Sequence, residues 1–116
     1  MSQNHKINYI EFPARDLTAT KDFFHKVFGW NFQDYGPDYA AFTGQGTDGG
    51  FYQSDLKSAR STGAALVVLY SDDLEKTQGL VTAAGGIIIE PIFSFPGGRR
   101  FHFTEPSGNE LAVWST

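Results

Sequence analysis

The stretch IEFPARDLTATKDFFHKVFGW, Ile10 to Trp30, decides the fold, because its pattern returns in VVLYSDDLEKTQGLVTAAGG, Val67 to Gly86. In each copy an apolar strand runs into an aspartate and a leucine, Asp16-Leu17 and Asp73-Leu74. Counting on from each aspartate, Leu80 and Val81 fall where Phe23 and Phe24 stand, Ala84 falls at Val27, and Gly86 falls at Gly29. The chain therefore reads as one module used twice. Two copies exclude a solenoid, whose stacking needs at least three units.

Within the first copy, Ile7 to Pro13 reads as a strand closed by a proline that cannot donate to a ladder. Asp16 suits a helix N-cap, with Leu17, Phe23, Phe24, Val27 and Phe28 on one face and Gly29 as a left-handed stop. Three short strands follow, Trp30 to Tyr35, Tyr39 to Thr43 and Gly50 to Gln53, separated by the turn signals GPD and GQGTDG. The polar run SDLKSARSTG, Ser54 to Gly63, is a connector. A strand from Ala65 to Tyr70, a helix from Leu74 to Ala84, and strands Ile87 to Phe93, Arg99 to Thr104 and Asn109 to Trp114 repeat the order. The expectation is an α+β chain of two βαβββ modules, about His5 to Gln53 and about Ala64 to Thr116, within a single domain.

Composition bounds the function. A net charge of −4 repels a phosphate backbone, so nucleic acid is excluded as a partner. Without cysteine there is no disulfide framework, thiolate nucleophile or cysteine-held zinc. No apolar run approaches a membrane span and MSQNHK is no leader, so the expectation is a soluble cytoplasmic protein without a membrane partner. Aromatic residues make up 16%, with eleven Phe, a load that suggests a ring-lined pocket for a small organic molecule.

Strand alternation assigns faces. Ile10 and Phe12 turn to the first helix, leaving Tyr9 and Glu11 on the concave side. Val67 and Leu69 turn to the second helix, leaving Leu66, Val68 and Tyr70. Phe101, Phe103, Leu111 and Val113 are core, which leaves Arg100, His102, Thr104, Glu110, Ala112 and Trp114 facing the hollow. His102, oriented by Glu11 across the sheet, is a candidate general base, with Tyr9 as a further acid/base group. A satisfied pocket histidine is the plainer alternative for His102, and a structural ion pair the plainer one for Glu11. Val68, Tyr70, Arg100, Glu110 and Trp114 are candidate ligand-binding residues, and Trp30 is a possible pocket wall or core ring. The loop SFPGGRR, Ser94 to Arg100, is either a hairpin with solvated arginines or a lid whose Arg99 or Arg100 forks to a carboxylate. GQGTDG matches G-x-G-x-x-G in letters only, since strand-like GFYQS follows it instead of a helix.

The paired modules, the opening stretch and the closing TEPSGNELAVW resemble the vicinal oxygen chelate superfamily, which includes glyoxalase I, bleomycin-resistance proteins and extradiol dioxygenases. The resemblance implies a curved eight-stranded half-barrel, often in a homodimer, and in the enzymes a divalent metal chelated by adjacent substrate oxygens. The family's ligands are His, Gln or Glu from the first and last strands of each module. Here those positions hold Tyr9, Leu66 and Ala112, and the fourth falls among Gly50, Phe51 and Tyr52. The sequence is accordingly expected to carry no metal or other cofactor, unless non-standard ligands such as Glu11, His102 and Glu110 hold one. Three functions stay open: small-molecule binding without metal, a lyase or dioxygenase with relocated ligands or metal-free acid/base chemistry, and sequestration of a drug.

Overall fold

The computed structural model describes residues 2–116. The chain runs β1 (Tyr9–Ala14), α1 (Leu17–Phe28), β2 (Phe32–Asp34), β3 (Tyr39–Phe42) and β4 (Asp48–Gln53). After a 3-10 turn at Arg60–Thr62 come β5 (Val67–Tyr70), α2 (Leu74–Ala83), β6 (Ile87–Phe95), β7 (Gly98–Thr104) and β8 (Glu110–Ser115). The strands form two open four-stranded sheets, ordered β1-β4-β3-β2 and β5-β8-β7-β6. β1 pairs parallel with β4 and β5 with β8, while the remaining neighbours are antiparallel. This is the expected pair of βαβββ modules in an open, half-barrel arrangement. None of the helices among the described residues is long and apolar enough to cross a membrane.

Each helix starts where its aspartate can cap it. The Asp16 carboxylate accepts from the Ala19 amide at 3.0 Å, and Asp73 does the same for Lys76 at 3.1 Å. Gly29 ends α1 at φ 74°, the left-handed conformation that costs glycine little. The repeat is looser at the second helix. α2 stops at Ala83, and the left-handed residue is Gly85, not Gly86. Gly86 instead packs where a Cβ would collide with Val81 and Phe23. Leu80, which matches buried Phe23 in the repeat, is 40% exposed, because α2 buries only Leu74 and Val81.

β1 begins at Tyr9, later than expected, and runs through Pro13 to Ala14. Pro13 is tolerated because β1 is an edge strand, where a missing N–H interrupts no ladder on the outer side. One apolar cluster joins both modules. From α1, Phe24 packs on Phe51 of β4 at 5.4 Å, while Phe23 and Phe28 pack on Phe103 of β7 at 5.8 and 6.1 Å. Most of the aromatic load goes here, and Trp30 with it. Its ring lies 4.8 Å from Phe24 and 4.5 Å from Phe42, which makes it core and not pocket wall.

A polar clasp crosses the same boundary. Asn109 donates to the Pro13 carbonyl and to Glu105, each at 2.6 Å. Thr20 donates to Glu105 at 2.8 Å, the Ser107 amide donates to it at 2.6 Å, and the Asp16 amide donates to the Ser107 hydroxyl at 3.1 Å. The turn EPSGN thus fastens the second module to the start of the first helix. Burial raises the Glu105 carboxyl above the ordinary glutamate value, against the donated hydrogen bonds, which lower it.

Candidate ligand-binding faces

The faces turned from the helices carry the polar candidates, as alternation requires. On the first sheet, Tyr9 and Tyr39 hydroxyls lie 2.6 Å apart, and Tyr39 donates to Glu11 Oε2 at 2.9 Å. A carboxylate only accepts, so the hydrogens run from Tyr9 to Tyr39 to Glu11. Glu11 sits in register with Gly50, and Tyr39 leans over that glycine; a Cβ at Gly50 would collide with the Tyr39 hydroxyl. Partial burial, followed by the bonds to Tyr9 and Glu11, holds the Tyr39 phenol far above its ordinary value. At neutral pH Tyr39 is therefore a fixed donor. Sequence reasoning did not single it out, although a glycine beside an inward-facing acid was the available sign.

On the second sheet, His102 is fully buried in the middle of β7. Its Nδ1 lies 3.3 Å from Glu110 Oε2, and the other Glu110 oxygen accepts from the Arg60 amide at 3.0 Å. The connector therefore braces the carboxylate that orients the imidazole. Nε2 is shielded and has no hydrogen-bond partner in the protein.

Arg100 lies two residues before His102 on the same face. Its guanidinium carbon is 5.5 Å from the ring centres of both Phe93 and Phe95, and Phe93 also lies 5.7 Å from the His102 ring. Register shifts in β6 between Ile88 and Phe93 break its alternation and bring Phe93 over both residues. That irregularity is why Phe93 escaped a reading based on period. Tyr70 and Trp114 meet edge to face at 5.1 Å. A cavity of about 350 Å3 opens between Val68, Phe95, Gly97, Arg100 and Trp114.

The two candidate groups are not brought together within one chain. The helix-facing sides of β1 and β5, with Ile10, Phe12, Val67 and Leu69, share a gap that also touches Trp30 and Phe42. Glu11 and His102 do not contact each other by hydrogen bond or ion pair, and each has a partner of its own, Tyr39 for Glu11 and Glu110 for His102. The loop SFPGGRR is a hairpin between β6 and β7, with Arg99 donating to both Glu75 oxygens at 2.6 and 3.2 Å.

Residues 6–113 match the Glyoxalase/Bleomycin resistance protein/Dioxygenase superfamily. The chain belongs to that superfamily. A glyoxalase-related enzyme from Fulvimarina pelagi has the same fold, with TM-score 0.81 at 16% identity over 97% of this chain and 88% of that one. A lactoylglutathione lyase from Agrobacterium tumefaciens gives 0.72 at 18% identity, over 97% and 95% of the two chains. TioX from Micromonospora sp. ML1 gives 0.72 at 18% identity, over 95% and 98%. At these identities the likeness is one of fold. No curated protein matches the sequence.

Against the superfamily's metal positions, the side chains present do not fit an ion. Leu66 and Ala112 have no donor atom, Ala112 is fully buried beside His102, and the Tyr9 oxygen is engaged with Tyr39. Among the described residues no three His, Cys, Asp or Glu side chains are grouped closely enough to hold a metal.

Proposed function

We propose that this superfamily member binds a small, partly apolar organic molecule on the concave face of its second sheet, without the metal its relatives' enzymes use. The observation that carries the reading is the cavity between Val68, Phe95 and Trp114, which is aromatic-walled and reaches a single cation at Arg100. Ligand sites combine such apolar walls with few polar groups. The missing donors at Leu66 and Ala112 support binding without a metal.

The same reading takes the protein as a homodimer. β1 and β5 are edge strands, and uncovered edges invite pairing. A second copy would also supply the wall that one chain does not give to either concave face. Sequestration of a basic drug finds less support, because the cation that reaches the cavity opposes a cationic guest.

A second reading, metal-free acid/base chemistry, is favoured by one observation, the Glu110-oriented imidazole with its unpartnered Nε2. Turnover of any substrate that survives chelation and is abolished in His102→Ala would establish it. The binding reading is tested with the neutral fluorescent probe N-phenyl-1-naphthylamine. Wild-type protein is expected to bind it, and Val68→Trp, which fills the cavity, is expected to lose at least about tenfold in affinity. Unchanged binding in Val68→Trp would place the probe elsewhere and remove the reading.

A further inference from the structure

Two neighbouring arginines meet opposite fates. Arg99 turns to the helix side and is forked by the Glu75 carboxylate. Arg100 turns to the concave face, half-buried, and none of the carboxylates among the described residues lies within salt-bridge distance of it. Its Nε is shielded from solvent and has no partner in the protein. The guanidinium carbon lies 5.5 Å over the rings of both Phe93 and Phe95, contacts that favour the charge without accepting its N–H groups in ordinary hydrogen bonds.

A cation taken partly out of water is stable when it meets an anion, and neither of the carboxylates on this face, Glu110 and Glu90, forms a salt bridge with Arg100. We infer that the cavity takes a carboxylate carried on an aromatic or similarly flat apolar body, with the carboxylate forked by Arg100 and the body lying among Val68, Phe95 and Trp114. This inference rests on the cavity reading above and names the ligand class. The chemistry selects a monoanion. One guanidinium offers two parallel donors to two oxygens, the geometry of a carboxylate, whereas a dianion would need further cations. Of the acids on this face, Glu110 is occupied by His102 and the Arg60 amide, and Glu90, in register with His102, is exposed to solvent and forms no salt bridge with Arg100. His102, two residues along and against the same Phe93 ring, adds a buried polar atom that the protein leaves unpartnered.

The test uses matched probes on the full chain after chelation: 1-naphthoate and the equally shaped, neutral 1-naphthamide, titrated by calorimetry into wild type, Arg100→Gln and Arg100→Lys. The acid is expected to bind at least about tenfold more tightly than the amide. Arg100→Gln should make the two probes equal without lowering the melting temperature, and Arg100→Lys should restore part of the preference, since it returns the charge without the fork. Equal binding of acid and amide to wild type would overturn the inference while leaving the cavity reading intact. Failure of both probes to bind would overturn the cavity reading and the inference with it. Because the wild-type comparison decides between these outcomes, a variant that failed to fold would not rescue the inference.

Discussion

Asn109 donates its side-chain amide to the Pro13 carbonyl at 2.6 Å, fastening the last turn of the second module to the first strand of the first. The same side chain donates to Glu105 and accepts from the Ser58 amide at 2.9 Å. Asn109→Ala would remove a partner from the buried Pro13 carbonyl, from one oxygen of buried Glu105 and from the half-buried Ser58 amide. It should destabilise the fold by about 3 kcal/mol in urea titration. A loss within error would mean that the clasp is ornamental and the aromatic cluster alone holds the modules.

Glu105 gives that clasp a pH dependence. Burial raises its folded-state value above that of the unfolded chain, so the folded chain holds this proton more tightly. Its contribution is fully present below the ordinary glutamate range and is lost as pH rises through the elevated value. Melting temperatures of wild type should therefore show a falling component on that interval that Glu105→Gln lacks. The variant should also be less stable overall, because its amide nitrogen would meet the donating Asn109 amide.

The tyrosine pair on the first sheet offers a spectroscopic check. Partial burial and the bonds to Tyr9 and Glu11 keep the Tyr39 proton in place well beyond the pH at which a free tyrosine ionises. Of the five tyrosines, one should ionise late in an ultraviolet titration, and Tyr39→Phe should remove that late fraction. Gly50→Ala should produce a similar early shift, since its Cβ displaces the Tyr39 hydroxyl. Five superimposable tyrosines in wild type would contradict the hydrogen-bonded geometry.

Sedimentation at micromolar concentration tests the assembly. A dimer is expected, with the first-sheet face of one copy available to the second-sheet face of the other. A clean monomer would leave both concave faces open to water and refute the homodimer.

The fold was legible because its signals are local and repeated. Asp16 and Asp73 cap, Gly29 stops, and Phe101, Phe103, Leu111 and Val113 are core as strand period requires, although His102 and Glu110, which alternate with them, are buried as well. The site was legible only in part. Alternation places Glu11 and His102 each on a concave face, but it does not say whether the two faces meet, which depends on how the modules pack. Phe93 was hidden by the irregular register of β6, and Tyr39 by a contact that exists only because Gly50 lacks a side chain. The roles of Glu105 and Asn109 were hidden for a related reason. Their partners, Thr20 and Pro13, are distant in sequence, and no periodicity links them.

The central claim is that the second sheet's concave face binds its ligand without a metal. Protein purified without chelator should be assayed for metal content and titrated with N-phenyl-1-naphthylamine before and after exhaustive chelation. The account predicts far less than one equivalent of zinc, nickel, manganese or iron, and the same affinity in both titrations. A stoichiometric metal whose removal abolishes binding would contradict it.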